Sequence, residues 1–292
     1  MWQCPICQSP FNPLVEHTAS WQCAEQHRFD VAKQGYVNLL PVQFKNSLDP
    51  GDNKAMVQSR EAFLNAGFYA PLVQAIASDI QSHAALDSNS VVFDAGCGEG
   101  YYLRALQALL TQFDSDCHQA SNDAGDIDIR FCGNDIAKNA VLRAARQNQV
   151  LQGNQTHVVA SSFALPLQDE SIDVLLQIFA PVSQAEVFRV LKPSGTWYQV
   201  VPNDNHLIEF KRHLYQSVNA HQPSPEDGLA VRELTVSYTI SPNQIQREQL
   251  LSMTPYAHAA NAEKRQRCIQ DDSPLSIDFK IYVYQQSQMK EA

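Results

Sequence analysis

Between Ser90 and Leu110 the sequence changes character twice. Ser90-Val91-Val92-Phe93 is a short apolar run of strand type, Asp94-Ala95-Gly96-Cys97-Gly98-Glu99-Gly100 follows without a spacer, and Tyr101 to Leu110 then shows helical spacing. A strand, a glycine-rich turn and a helix start in that order belong to sheets of parallel strands joined by helices. Glycines there allow a tight turn and let the backbone approach a ligand that Cβ atoms would exclude. The rhythm is G-x-G-x-G, whereas loops that cradle a pyrophosphate read G-x-G-x-x-G. Asp94, placed ahead of the turn, favours a cationic ligand over a phosphate.

The rest of the chain repeats this alternation. Apolar positions Met56, Phe63, Leu72, Ile76 and Ile80 predict helices over about 53–85, with a break near Gly67. Strands are expected at Ile129–Asn134, His157–Ala160, Ser171–Leu176, Thr196–Val201, Leu234–Ile240 and Ile277–Tyr284. Helices are expected at about Ala137–Gln147, Ala185–Leu191 and Pro242–Met253, the last capped by Ser241. Lys192-Pro193-Ser194-Gly195 reads as a turn, and Asp114–Asp128 and Gln222–Gly228 read as surface loops. Alternation of this kind predicts a doubly wound parallel sheet with its ligand beyond the carboxyl ends of the strands. Asp135 ends the second strand, where a carboxylate can accept hydrogen bonds from both hydroxyls of a ribose; an N-cap role for the following helix is the other reading.

At the N-terminus, Cys4-Pro5-Ile6-Cys7 and Cys23-Ala24-Glu25-Gln26-His27 form C-x2-C and C-x3-H separated by fifteen residues. Each half presents two ligands across one turn, which predicts a closed tetrahedral Cys3His zinc site of structural type. Trp2, Phe11, Trp21, Phe29, Tyr36 and Leu39 could cluster around it, since so short a segment rarely folds on an apolar core alone. Cys97, Cys117, Cys132 and Cys268 have no ligand spacing. The expected division is a zinc-binding module at 1–40, a linker and helical approach at 41–88, and the α/β domain at 89–292.

Bulk properties exclude several classes. Hydrophobic residues at 44% and charged residues at 18% fit a globular enzyme and not a disordered chain. The formal net charge of -10 argues against indiscriminate binding of polyanions, so a nucleic-acid partner must be held by local patches. Met1 to Pro13 lacks a basic stretch followed by an apolar run, and no window approaches the roughly 20 apolar residues that span a bilayer. A cytoplasmic location without membrane attachment is the expectation, with the seven cysteines reduced.

Taken together, these motifs resemble one family: the bacterial methyltransferases that modify N1 of a guanine in large-subunit (23S) ribosomal RNA. The resemblance rests on the zinc-ligand pattern, on Phe29-Asp30-x-Ala32-Lys33-x-Gly35-Tyr36-Val37-Asn38-Leu39-Leu40-Pro41 and on Asp49-Pro50-Gly51-Asp52. It continues through Ala66-Gly67-x-Tyr69, Asp94–Tyr102 and Met253-Thr254-Pro255. It implies a class I methyltransferase (Rossmann-like) α/β sheet with helices on both faces and an antiparallel last strand, plus the small zinc-binding domain. It implies S-adenosylmethionine as cofactor, held by Asp94, Gly96, Gly98, Glu99 and Asp135, with Tyr69 and His206 as further contacts. Cys4, Cys7, Cys23 and His27 would bind zinc. The implied partner is a ribosomal RNA hairpin and not DNA, and a homodimer is one admissible assembly.

Guanine N1 must lose a proton before it can accept a methyl group, yet no general base is identifiable. The strand exit Phe179-Ala180-Pro181 lacks both the Asn/Asp-Pro-Pro-Tyr/Phe motif used on exocyclic amines and a Pro-Cys nucleophile, which favours a ring nitrogen. A flipped guanine needs an apolar wall such as Phe179 or Tyr102. Lys33, Lys45, Lys54, Arg60, Lys211 and Arg212 are candidate RNA-backbone contacts. Two other functions are compatible: a methyltransferase acting on another RNA or a small molecule, and a zinc-bearing RNA-binding adaptor without catalysis.

Overall fold

The computed structural model describes residues 1–12, 19–41, 43, 51–117, 129–215, 230–259 and 261–286. The N-terminal part forms a two-stranded antiparallel ribbon, β1 (Ser20–Gln22) and β2 (Arg28–Asp30), with Trp21 opposite Phe29. A third short strand, β3 (Val37–Asn38), leaves this module and joins the main sheet.

Two helices, α1 (Lys54–Asn65) and α2 (Ala70–His83), precede the α/β core. Asn53 caps α1 by accepting from the Met56 N–H, and Pro71 lies in the first turn of α2, where its missing N–H costs nothing. The core then alternates β4 (Val91–Ala95), α3 (Tyr101–Cys117), β5 (Arg130–Asp135), α4 (Lys138–Val150), β6 (Thr156–Val159), β7 (Ile172–Ile178), α5 (Gln184–Val190) and β8 (Leu191–Pro202). After α6 (Ile208–Leu214) and β9 (Arg232–Ile240) come α7 (Gln244–Ser252), α8 (Tyr256–Ala259), α9 (Ala262–Gln270) and β10 (Leu275–Gln285).

The sheet order is β3-β6-β5-β4-β7-β8-β10-β9. All neighbours are parallel except at β10, which runs antiparallel to both β8 and β9. Every residue of β4 is buried, as expected of a central parallel strand covered on both faces. By contrast β9 alternates partly buried and exposed positions along almost its whole length, the pattern of an edge strand.

The two faces are covered differently. On one, Phe63, Leu72, Ile76, Leu103 and Leu106 from the helices pack against Val92, Phe131, Leu176 and Tyr198. On the other, α5 supplies Val187 and Val190, and the N-terminal module covers the remainder: Trp2, Phe11, Trp21 and Cys23 share one buried cluster with Val91, Phe93, Trp197 and Tyr284. Trp2 meets Phe93 edge-on at 5.9 Å and Trp21 at 5.5 Å. Backbone bonds reinforce the contact, Gln3 N–H to Pro166 O at 3.0 Å and Gln168 N–H to Met1 O at 2.7 Å. β3 adds an edge bond, Leu39 N–H to Val159 O at 2.9 Å. The module is therefore part of the sheet's core.

Three expectations need correction. Residues 114–117 continue α3; no glycine or proline interrupts Tyr101–Cys117, so the backbone bonds run past the last described buried side chain, Leu110. The remainder of that loop, and all of 222–228, lie outside the described residues. Lys192–Gly195 is no separate turn: β8 begins at Leu191, directly after α5. Ile172 pairs with Leu191 and Val174 with Thr196, so these four residues bulge out of the ladder, where Lys192 reaches Asp173 at 2.8 Å. Asn243, and not Ser241, caps α7, through a capping box with Gln246.

Because the module and the sheet share one core, Trp2→Ala should cost about 3–5 kcal/mol. It should lower the melting temperature of the whole chain in one transition; a separate early melt confined to the module would contradict the shared core.

Candidate active site and metal centre

The zinc-pattern residues converge. The ligand atoms of Cys4, Cys7, Cys23 and His27 all lie within 4.8 Å of one another. Cys7 Sγ is 3.6 Å from Cys23 Sγ, and His27 Nδ1 is 3.7 Å from Cys4 Sγ and 3.5 Å from Cys23 Sγ. A tetrahedral zinc ion with ordinary bond lengths needs sulfur–sulfur separations of about 3.8 Å and sulfur–nitrogen separations of about 3.6 Å. The donor set and its spacing fit that ion. Two tight turns build it, Gln8 N–H to Cys4 O at 2.8 Å and Gln26 N–H to Cys23 O at 3.0 Å.

Beyond the carboxyl ends of β4, β5 and β7 lies a cavity of about 1030 Å³. Gly96, Gly98 and Glu99 line it, with Asp135, Tyr69 and His206, so six of the seven predicted cofactor positions border one space. Gly96 has φ +85, and a Cβ there would collide with the Ala180 methyl; only glycine fits. Gly98 has φ +57 and nothing nearer its missing side chain than Arg60 at 3.8 Å, so its face is open to a ligand.

Asp135 holds this bend in place. Its Oδ2 accepts from Gly98 N–H at 2.9 Å and its Oδ1 from Ala137 N–H at 2.7 Å. The residue at the N-cap of α4 is Ala137, so Asp135 ties the glycine turn to the helix start without capping it. Each oxygen keeps a lone pair that a ribose hydroxyl could use. Glu99 is buried and paired with Arg104 at 2.8 Å.

Asp94, the seventh position, is beneath the bend and does not border the cavity. It is buried, neither carboxyl oxygen has a hydrogen-bond partner, and burial, with the nearby Asp135 and Glu99 charges, pushes it up to about 8. Such an orphaned carboxyl is costly unless something compensates it.

At the other end of the cavity Tyr69 packs edge-on against Phe63, Phe179, His206 and Phe279. Burial and the charge of Lys211 push His206 down to about 3, so it is neutral, and its Nδ1 accepts from Asp278 N–H at 3.3 Å. Phe179 is 41% exposed at the mouth and adopts φ +55, a strained backbone for a side chain of that size. Tyr102 lies behind it, buried.

The cavity also takes in groups that the sequence alone assigns to the surface or to no site. Lys211 is buried and faces this cavity, and Arg60 is paired with Asp52 and borders it too, so neither is a free surface cation. Gly51 and the Met253–Tyr256 segment also line it. No local periodicity marks these positions, because they meet only through packing of α1 against α7. Lys33, Lys54 and Arg212 are exposed, and Lys45 lies outside the described residues.

Sheet order, antiparallel β10 and the glycine bend define the class I methyltransferase fold. A family model described as the RlmA N-terminal zinc ribbon matches residues 2–48. The Streptomyces fradiae protein named 23S rRNA (guanine(748)-N(1))-methyltransferase is 35% identical over 208 residues, 71% of this chain and 65% of that one. The Bacillus subtilis (strain 168) protein named "Putative 23S rRNA (guanine-N(1)-)-methyltransferase YxjB" is 30% identical over 274 residues, 90% of this chain and 89% of that protein. The chain belongs to the family of 23S rRNA (guanine-N1) methyltransferases.

Asp94 yields a pH test. Its carboxyl titrates near 8 when folded and near about 3.9 when unfolded, so the stability it contributes is full below the lower value and lost as pH rises through the higher one. Ligand-free Asp94→Asn should therefore gain melting temperature over the unsubstituted chain progressively from about pH 5 to about pH 8. A difference that does not change with pH would show that Asp94 is ionised throughout.

Proposed function

We propose that this protein transfers a methyl group from S-adenosylmethionine to N1 of a guanine in large-subunit ribosomal RNA, with a structural zinc ion in its N-terminal ribbon. The observation that carries the reading is the single cavity that joins the glycine bend to an exposed aromatic mouth. The orphaned Asp94, the open face of Gly98 and the size of the cavity suit a cationic nucleoside donor. When bound, that donor supplies an already activated methyl group on a positively charged sulfur.

In this reading Gly96, Gly98 and Glu99 take the methionine part, and Asp94, beneath the bend, gives up its proton when the cationic donor binds and then balances its charge. Asp135 takes the ribose, and Tyr69 and His206 contact the donor near the reacting atoms. Cys4, Cys7, Cys23 and His27 bind the zinc, which fills all four positions and takes no part in the reaction. Positioning two reactants in one pocket can supply several kcal/mol of the barrier. Phe179, with Tyr102 behind it, forms the wall against which a flipped guanine stacks.

The substrate is proposed to be an RNA hairpin. The exposed Lys33, Lys54 and Arg212 contact its backbone, and assembly as a homodimer is compatible with that role. Functionally the chain divides into the zinc-binding RNA-recognition module at 1–40, the approach at 41–88 and the donor-binding domain at 89–292. No helix among the described residues is long and apolar enough to cross a membrane. A cytoplasmic location follows from the proposed substrate.

Incubation with labelled S-adenosylmethionine and unmodified large-subunit RNA should place one methyl on a guanine N1, mapped by mass. Methylation only of small molecules, or donor binding without transfer, would refute the reading. Phe179→Ala should slow RNA turnover at least tenfold while leaving donor affinity near normal, measured by calorimetry; unchanged turnover would remove Phe179 from the pocket.

A further inference from the structure

Loss of the N1 proton is the chemical obstacle in methylating guanine, and the cavity offers no obvious base. Among the described residues that line it, every carboxylate is engaged: Asp52 with Arg60, Glu99 with Arg104, Asp135 with the N–H groups of Gly98 and Ala137. His206 Nδ1 already accepts a hydrogen bond. The alternative to a base is a positive charge that makes the N1 proton more acidic. Deprotonated guanine shares its negative charge between N1 and O6, so a cation against O6 stabilises that form directly.

One group has the required properties. Lys211, on α6, is only 7% exposed and borders the cavity near His206 and Tyr215. Its ammonium makes one hydrogen bond, to the backbone carbonyl of Asp204 at 3.1 Å, and among the described residues no carboxylate lies within ion-pair distance of it. An ammonium has three donors, so two remain for a ligand. Arg60, the other cation that lines the cavity among the described residues, is paired with Asp52. Burial holds the Lys211 ammonium below its ordinary value, Asp204 and Asp278 act in the other direction and favour its charged form, and the adjacent His206 is neutral. Tyr215 and Tyr256, from the end of α6 and from α8, complete that end of the cavity.

We infer that Lys211 contacts O6 of the target guanine and, by holding the negative charge of its deprotonated form, takes the place of a general base. This inference rests on the proposed guanine-N1 activity. The N1 proton passes to water at the open mouth, the N1–carbon bond forms as the sulfur–methyl bond breaks, and Lys211 keeps its proton throughout. It is a catalytic residue in the sense that it touches the substrate at the charge that develops.

The test uses the full-length, zinc-loaded protein and an RNA fragment carrying the guanine identified by methyl mapping. Lys211→Met keeps the length of the side chain and removes its charge; its melting temperature checks the fold. Its kcat/KM should fall about 10²-fold at neutral pH, the cost of removing one donor from a developing oxyanion. That deficit should shrink as pH rises, because bulk hydroxide then removes the proton that Lys211 no longer acidifies, and the apparent pKa of the rate profile should move up by about one unit or more. Lys211→Arg, which keeps the charge, should retain more activity than Lys211→Met. A deficit constant across pH, or an affinity for S-adenosylmethionine weakened tenfold or more, would overturn the inference, the latter by placing Lys211 on the donor's carboxylate. If the unsubstituted protein leaves no methyl on any guanine N1, the underlying activity fails instead, before the variants are compared.

Discussion

A backbone bend with no side chains on its ligand face, tied down by one carboxylate and underlain by another, governs the layout of the molecule. Asp135 reaches back from the end of β5 to the Gly98 N–H, so the turn after β4 is fixed by the neighbouring strand as well as by its own glycines. Asp94 sits below with two unmatched oxygens. Such a group lowers the stability of the ligand-free chain, which is intelligible if the site is completed by a cation. The two acids differ in kind: the oxygens of Asp135 anchor the bend, whereas those of Asp94 meet no donor and, off the cavity, act on a ligand only through charge.

The zinc ribbon is a packing element of the sheet. A parallel sheet needs cover on both faces. Helices supply it on one, while on the other only α5 does so among the described residues, and Trp2, Phe11 and Trp21 cover the ground beside it. The closed Cys3His centre holds those aromatic side chains in place, and β3 continues from the same segment into the sheet edge. The module is thus set at a fixed position relative to the cavity.

Much of this was legible in order of residues alone. The strand runs, the glycine bend, the C-x2-C and C-x3-H spacing and the acid at the end of β5 are local patterns, each enforced by backbone geometry or ligand chemistry within a few residues. The boundaries that failed did so for local reasons too: α3 reaches Cys117 because no glycine or proline interrupts Tyr101–Cys117, and Lys192–Gly195 became a bulge because Thr196 had to stay in register with Val174. His206 and Tyr69 carried no local signal; the family resemblance singled them out, and the fold places both on the cavity.

The sequence by itself determined the class of fold, the metal-ligand set and the glycine bend, because each depends on spacing between near neighbours. Only the tertiary structure decided that Asp94 lies under the bend and off the cavity, that Arg60 is neutralised by Asp52, and that Lys211 is a buried, incompletely partnered cation and not a surface contact. Burial and charge pairing are set by which distant elements close over a side chain. That closure, of α1, α6 and the Met253–Tyr256 segment around one space, is not encoded in any short run of residues.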